Sequence, residues 1–438
     1  MKVLKFGGTS VGSVERMKTV AELIRGREDV VVLSAMSGTT NALMVICRQL
    51  RTGAQEEAKE GIKQLGGHYE GLAGELLKKE EFREETIKKI REIFGEIEAC
   101  TRGRFLAALE KVVVAQGEIL STTLLHQYLR EQGEAASLLP ALDFMRIDLN
   151  GEPDGRLIRE GLRAALKGVP AGSLVITQGF ICRNAGGEID NLKRGGSDYT
   201  ASLIGAALGA EEIQIWTDID GMHNNDPRYV EHTSPVRTLR FEEAAELAYF
   251  GAKILHPTCI LPAERAGIPV RLLNTMDHTA PGTLISEVSE KGKIKAIAAK
   301  DDITAIKIKS SRMLLATGFL RKIFEIFESY RTPVDLITTS EVAVSVTIDN
   351  ASRLKEIVMD LEELGTVTVD REMTIICVVG DFGWDNVGFE ARILEAFRYI
   401  PIRMISFGGS DHNVSLLIKS EDKEPALQAL SKHLFGEY

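Results

Sequence analysis

The sequence predicts an α/β protein: a mostly parallel sheet with helices on both faces, followed by two ferredoxin-like βαββαβ units. Three observations carry this. Short apolar runs (VLKF, VVVL, LVITQ, IQIWT) each stop at a polar, Gly-rich loop, the pattern of strands buried on both faces. Apolar residues at helical spacing follow the first such loop, at Val14, Met17, Val20, Ala21 and Ile24. After about residue 300 one pattern occurs twice. PVDLIT, VSVTI and a helix are followed by PIRMIS, VSLLI and a helix. Pro333 and Pro401 stand 68 positions apart, Ser345 and Ser415 70 apart.

The elements follow in order. Val3–Phe6 is a strand, KFGGTS (residues 5–10) a turn, and Ser13 a cap for the first helix. Val30–Leu33 is the next strand and ends in SAMSG. Residues 51–105 are rich in Glu and Lys with helical periodicity and read as a solvated helical insertion. Strands return at Leu174–Gln178, Ile213–Thr217 and 269–273. Each duplicated unit has a strand (303–308; 374–379), a helix (319–330; 389–399), two strands and a helix. The expected boundaries are residues 1–297, 298–370 and 371–438. Two such short units are marginal alone and are expected to pack together or against another subunit.

Composition narrows the function. A chain of 438 residues is too long for one ordinary core. The net charge of −10 argues against nucleic acid and leaves an anionic small substrate to local basic groups. Five scattered cysteines without a CxxC indicate a reducing compartment, with no disulfide framework and no zinc site. No apolar run reaches membrane-spanning length, and the N-terminus enters a strand directly. A cytoplasmic protein is the expectation.

Four stretches carry chemistry. KFGGTS places a lysine before a glycine turn and a helix; this is phosphate-binding chemistry without Walker A spacing. LKRGGSDYTA places Arg194, Gly195 and Gly196 ahead of Ser197 and Asp198, where the helix 200–208 begins. A helix N-terminus binds anions, and an arginine grips carboxylates bidentately. Asp198 can orient a lysine or carry a metal, or either Ser197 or Asp198 can simply cap the helix. WTDIDGMHNNDPR is a polar loop after a buried strand, where ligands collect in open α/β sheets. In YFGAKILHP, Lys253 is either a snorkelling surface residue or a phosphate clamp. Glu118, among apolar residues, needs a partner: a bound ammonium or a nearby arginine.

Taken together, KFGGTS, LSAMSGTTN (33–41), Gly117-Glu118, RGGSDYT (194–200), WTD (216–218), DPR (226–228) and FGAKILHP (250–257) resemble the aspartate kinases. Residues 318–341 resemble that family's paired ACT regulatory domains. The resemblance covers nearly the whole chain and implies the amino acid kinase fold. It also implies ATP with Mg²⁺, L-aspartate as phosphoryl acceptor and 4-phospho-L-aspartate as product. This product opens lysine, threonine and methionine biosynthesis. By the same resemblance Lys5 and Asp198 are catalytic. Thr40, Glu118, Arg194, Gly195, Gly196 and Ser197 bind the substrate. Lys5, Gly7, Gly8, Ser34, Thr217, Asp218, His223, Arg228 and Lys253 bind ATP. No metal is expected on protein ligands alone. Two positions depart from the family: Lys193, usually Gly, and His223, often Tyr. No homoserine dehydrogenase segment follows, so a monofunctional enzyme is expected.

The family's ACT effector pocket maps onto Met313, Gly318, Phe319, Leu320, Asp335, Thr339, Ser340 and Glu341. Asp335 and Glu341 suit lysine with its two ammonium groups, although Leu315 and Ala316 replace polar residues; threonine is the other candidate effector. A homodimer or homotetramer through the ACT domains is expected. Two other readings stand beside this one: a kinase for glutamate or an acetylated amino acid, and a catalytically dead amino-acid sensor.

Overall fold

The structure is a computed structural model and describes residues 1–103, 105–192, 195–251, 255–288, 290, 292–313, 317–383 and 385–436. It divides into two compact units, residues 1–222 with 254–288, and residues 223–253 with 289–438. No helix among the described residues is long and apolar enough to cross a membrane.

The first unit opens with β1 (Val3–Phe6), α1 (Val14–Ile24), β2 (Val30–Leu33) and α2 (Thr39–Thr52). Ser13 caps α1 by accepting the Arg16 N–H, as expected. The helices α3 (Gln55–Leu76), α4 (Glu80–Ala99) and α5 (Ala107–Glu131) follow. Next come β3 (Ala136–Leu138), α6 (Ala141–Phe144), α7 (Gly155–Leu166) and β4 (Leu174–Gln178). A small hairpin, β5 (Ile181–Arg183) and β6 (Ile189–Asn191), leads to α8 (Gly196–Leu208) and β7 (Ile213–Thr217). The chain then crosses β8 (Thr238–Arg240) and α9 (Phe241–Tyr249), which belong to the second unit. It returns for α10 (Pro257–Arg265), β9 (Val270–Asn274) and β10 (Thr283–Ser286).

Strands β3-β4-β2-β1-β7-β9 run parallel and β10 pairs antiparallel with β9. β1 lies between β2 and β7, which sets Lys5 opposite Val32 and Ile215. The helical insertion is not a solvated bundle. Ile62, Tyr69, Ala73, Ile90 and Phe94 are buried in the same core as Leu4, Phe6 and Leu33. A charged composition hid this, because the apolar residues occupy one face of each helix and the charges the other.

The second unit continues with β11 (Ile294–Lys309), α11 (Phe319–Ser329), β12 (Ile337–Thr339), β13 (Ala343–Ile348), α12 (Leu354–Glu362) and β14 (Thr366–Gly380). Then come α13 (Phe389–Ala396), β15 (Met404–Ser406), β16 (Asn413–Lys419) and α14 (Lys423–Phe435). Their sheet has the order β12-β13-β11-β14-β16-β15. The two duplicated halves interleave rather than follow one another. Residues 304–309 of β11 pair with β13, whereas Ile294 to Lys300 pair only with the far half of β14. Hence the last strand of the second βαββαβ unit comes from the chain before the first. β11 and β14 each run through both units, so the linear limits at 297/298 and 370/371 fall inside strands. The register breaks between Lys300 and Ile303, and Asp302 and Glu372 there take left-handed φ of 60° and 56°. Two separate cores result, one under α11 and α12, the other under α13 and α14.

Ile297 sits in the second core although it precedes the first unit in sequence. Ile297→Ala is expected to cost ~2–5 kcal/mol. Amide hydrogen exchange should show the loss of protection in β16, α13 and α14 while α11 and α12 keep theirs; equal loss in both halves would contradict the interleaving.

Candidate active site

β1 is fully buried, so Lys5 leaves the sheet into a space with little water; its side chain is 11% exposed. A buried ammonium needs a counter-charge. Asp198 supplies it, with Lys5 Nζ 2.7 Å from Asp198 Oδ1. Asp198 lies in the first turn of α8, where free N–H groups and the helix dipole also favour a negative charge. The turn ahead of α8 depends on glycine. Gly195 has φ +70°, and a Cβ there would stand 2.0 Å from Cys259 Sγ and 3.1 Å from His256 Cβ. The first turn of α10 therefore braces the turn that carries Asp198.

The KFGGTS turn is stitched to its neighbours. Gly7 N–H donates to the Trp216 carbonyl at the end of β7, and Ser37 N–H donates to the Gly8 carbonyl. A Cβ on Gly8 would stand 2.7 Å from the Ala35 carbonyl oxygen, so only glycine lets the two strand-end loops touch. The loop after β2 meets α5 at Gly117, where a Cβ would come within 2.9 Å of Ala35 Cβ. That close approach delivers Glu118. Its Oε1 accepts the Ala35 N–H at 3.3 Å, and Oε2 is buried with no partner among the described residues. Burial pushes the Glu118 carboxyl up to about 7, against the pull of the Ala35 N–H.

The remaining expected residues are placed as follows. Ser197 packs against the end of β4, where a Cβ on Gly179 would stand 2.3 Å from it. Ser34 lies at the end of β2 and its carbonyl accepts from Ser121 Oγ. Thr40 occupies the first turn of α2, half-buried; its neighbour Thr39 is buried against the Tyr69 hydroxyl at 2.7 Å. Thr217 and Asp218 end β7 and bond each other at 3.1 Å. Thus Lys5, Gly7, Gly8, Ser34, Glu118, Ser197, Asp198 and Thr217 gather at the carboxyl ends of adjacent strands or the helices facing them. Lys193, Arg194 and Lys253 lie outside the described residues. His223 and Arg228 belong to the second unit. There His223 Nδ1 meets Thr233 Oγ1 at 2.8 Å, and Arg228 is paired bidentately with Asp226.

Sequence reasoning missed Tyr69, Gly179, Phe180 and Cys259. Phe180 has φ 66°, held by donating its N–H to Thr200 Oγ1 and accepting from Leu192. Gly179, directly after LVITQ, was the one legible signal; nothing local marks Cys259 or Tyr69.

The second unit holds the expected effector residues. Met313 closes a short 3₁₀ turn, Gly318 caps α11 with φ 82°, and Phe319 is buried while Leu320 is 41% exposed. Thr339 ends β12, Ser340 N–H donates to the Ala343 carbonyl, and Glu341 is exposed. The Asp335 side chain is 1% exposed. Its Oδ1 accepts from Lys300 Nζ at 2.8 Å and from the Tyr249 hydroxyl at 2.6 Å. Its Oδ2 is buried without a partner among the described residues.

The raised Glu118 carboxyl has a consequence for stability. The native protein keeps that proton up to about pH 7, whereas the unfolded chain loses it near 4.5. Stability therefore falls as pH rises through that window. Glu118→Gln is expected to flatten the fall in unfolding midpoint between these pH values, read by thermal denaturation.

The model of the amino acid kinase family matches residues 1–274, and an ACT domain model matches residues 376–434. The chain is 34% identical over 452 residues to the lysine-sensitive aspartokinase 3 of Escherichia coli K12, covering 99% of each. Two solved structures of E. coli aspartokinase III, each 34% identical, superpose over 99% of this chain. The R-state complex with aspartate and ADP has a TM-score of 0.85 and is covered over 100% of its length. The T-state complex with lysine and aspartate has a TM-score of 0.79 and is covered over 99%. With the family model over more than half its length and this likeness from end to end, the chain belongs to the amino acid kinase family and, within it, to the aspartokinases.

Proposed function

We propose that this aspartokinase transfers the γ-phosphoryl group of ATP to the β-carboxylate of L-aspartate. The observation that carries the reading is the Lys5–Asp198 ion pair at the strand ends, with a Glu118 oxygen in the same unit that has no partner among the described residues. An aspartate β-carboxylate oxygen attacks the γ-phosphorus in line. The bond to the β–γ bridging oxygen breaks, and ADP leaves with the electron pair. The nucleophile is already an anion, so no general base is required. What the reaction needs is charge neutralisation and alignment. Lys5 supplies positive charge to the phosphoryl oxygens, and Asp198 holds its ammonium in place. Gly7, beside Lys5 Nζ, keeps the backbone open to phosphate, while Gly8 lets the loop after β2 close against the turn. Ser34, Thr217 and Asp218 line the nucleotide side, with His223, Arg228 and Lys253 assigned there by sequence resemblance.

Substrate recognition follows from charge. An α-ammonium at Glu118 Oε2 satisfies the buried oxygen and favours the ionised carboxylate. Arg194 takes the α-carboxylate by sequence resemblance, with Thr40 and Ser197 as hydrogen-bonding neighbours. Among the described residues no three His, Cys, Asp or Glu side chains cluster to hold a metal. Mg²⁺, expected with the nucleotide from the sequence resemblance, would supply positive charge to the phosphates when bound, and Asp198 is the carboxylate that would face it.

Lys5→Ala is expected to lower the rate by at least ~10²-fold, the scale of losing one preorganised charge-stabilising donor. An ATP-dependent hydroxamate assay with aspartate, and glutamate as control, tests both residue and substrate. Equal product from glutamate, or an undiminished mutant, would overturn the assignment.

Lysine is the effector favoured by this reading. Its support is the buried Asp335 Oδ2, which has no donor among the described residues, in a cluster where Lys300 bridges Asp335 and Asp349. The E. coli relative is called lysine-sensitive, and its T-state complex contains lysine. Exposed Ile337, Ile405 and Phe407 offer apolar surface to a second copy in a homodimer. Titrating the kinase reaction with lysine and with threonine is expected to show inhibition by lysine; indifference to saturating lysine would rule it out as effector.

A further inference from the structure

The first turn of α2 has no side-chain cap; its N-cap is Gly38, with φ 84°. Such a helix start frays unless packing holds it. Thr39, the first residue of α2, is buried and held on two sides. Its hydroxyl lies 2.7 Å from the Tyr69 hydroxyl on α3. Its methyl Cγ2 lies 3.5 Å from the place a Cβ would take on Gly117 of α5. A β-branched side chain has few rotamers, so the two contacts together fix it. Tyr69 is fixed in turn. It is wholly buried, and its ring centroid lies 6.2 Å from that of Phe94 on α4. Burial pushes its phenol up to about 12, and the Glu118 carboxylate adds to the rise. The hydroxyl therefore stays protonated at neutral pH. Thr39 thus joins α2, α3 and α5 at one point. Thr40 is the next residue along α2, and Glu118 the next along α5 after Gly117.

We propose that Tyr69, from the helical insertion, is a positioning residue for the aspartate side of the site, acting through Thr39 on the spacing between Thr40 and Glu118. The proposal rests on the reading of Thr40 and Glu118 as substrate-binding residues. Apolar packing between α2 and α3 is non-directional and leaves the rotation of a helix turn loosely set. A hydrogen bond between two buried hydroxyls is directional. Its net contribution to stability is small, because both groups bond water in the unfolded chain. What it fixes is the first turn of α2, and hence where Thr40 stands relative to Glu118 Oε2. That oxygen is buried with no partner among the described residues. A substrate held by its ammonium at Glu118 and by a hydrogen bond at Thr40 binds only as well as that spacing is kept. Lys5 and the turn after it are held separately, by Asp198 and by the Trp216 carbonyl. The loss of the Tyr69 hydroxyl therefore falls on aspartate and spares ATP.

Tyr69→Phe removes the hydroxyl and keeps the ring against Phe94. Thr39→Val removes the partner hydroxyl and keeps the branched shape. Steady-state kinetics give KM for aspartate and KM for ATP in wild type, both single variants, the double variant and Glu118→Gln. Each single variant is expected to raise KM for aspartate at least ~5-fold, the scale of one hydrogen bond. KM for ATP should stay within about twofold of wild type, since binding of the nucleotide is not what the bond supports. The double variant should match the singles, because both remove the same bond. Single variants that melt lower but keep the wild-type KM for aspartate overturn the positioning role. So do variants that raise both KM values alike, or whose effects add in the double variant; each of these leaves Glu118 as the substrate's acceptor. Glu118→Gln with the wild-type KM for aspartate removes the substrate-site reading, and the positioning role with it.

Discussion

The catalytic unit is organised around one buried charge. Lys5 sits in the middle of the central strand, with β2 on one side and β7 on the other. An ammonium in that position is costly unless it is paired. The pairing residue comes from the start of α8, nearly two hundred positions away, at 2.7 Å. The ion pair therefore fixes the helix start against the strand end. It also keeps a positive charge aimed at the crevice instead of at solvent. The charge is thereby held in a fixed orientation, which is the condition for preorganised electrostatics.

The second constraint is backbone proximity. Gly8, Gly117, Gly179 and Gly195 each stand where a Cβ would collide with a neighbouring loop, a helix turn or a side chain. They allow the loops after β1, β2 and β4 to converge with α5 and α8 on one small volume. Glu118 illustrates the result. It is buried because α5 can touch Ala35, and its carboxyl is raised because it is buried. A site built this way holds unmet polar capacity in reserve for a ligand that supplies the missing donor.

The regulatory unit uses the same physics with a different architecture. Asp335 is another buried carboxylate with one oxygen unsatisfied among the described residues, held by a lysine and a tyrosine. Its neighbours come from β11 and α9, elements far apart in sequence. Residues 223–253, which include α9, fold with the C-terminal part of the chain. The interleaved strands tie the two βαββαβ halves together, since β11 and β14 are shared by both, while each half keeps its own core.

Much of this was legible in the sequence. Apolar runs ending at glycine-rich loops determined the parallel sheet, because burial on both faces permits little else. KFGGTS and RGGSDYT marked two glycine turns ahead of helices, and the structure sets Lys5 and Asp198 from these stretches 2.7 Å apart. The repeat of PVDLIT and PIRMIS determined the duplicated ferredoxin-like units. Tertiary structure alone decided the rest. Periodicity is blind to which strand pairs with which, so β11 completing the second unit from upstream was hidden. Charge counts are blind to which face is buried, so the helices after residue 51 looked solvated while Tyr69 is wholly inside. The partners of Asp198, Glu118 and Asp335 are set by distances across the fold; local sequence determines that such groups need partners, and only packing decides which ones they receive.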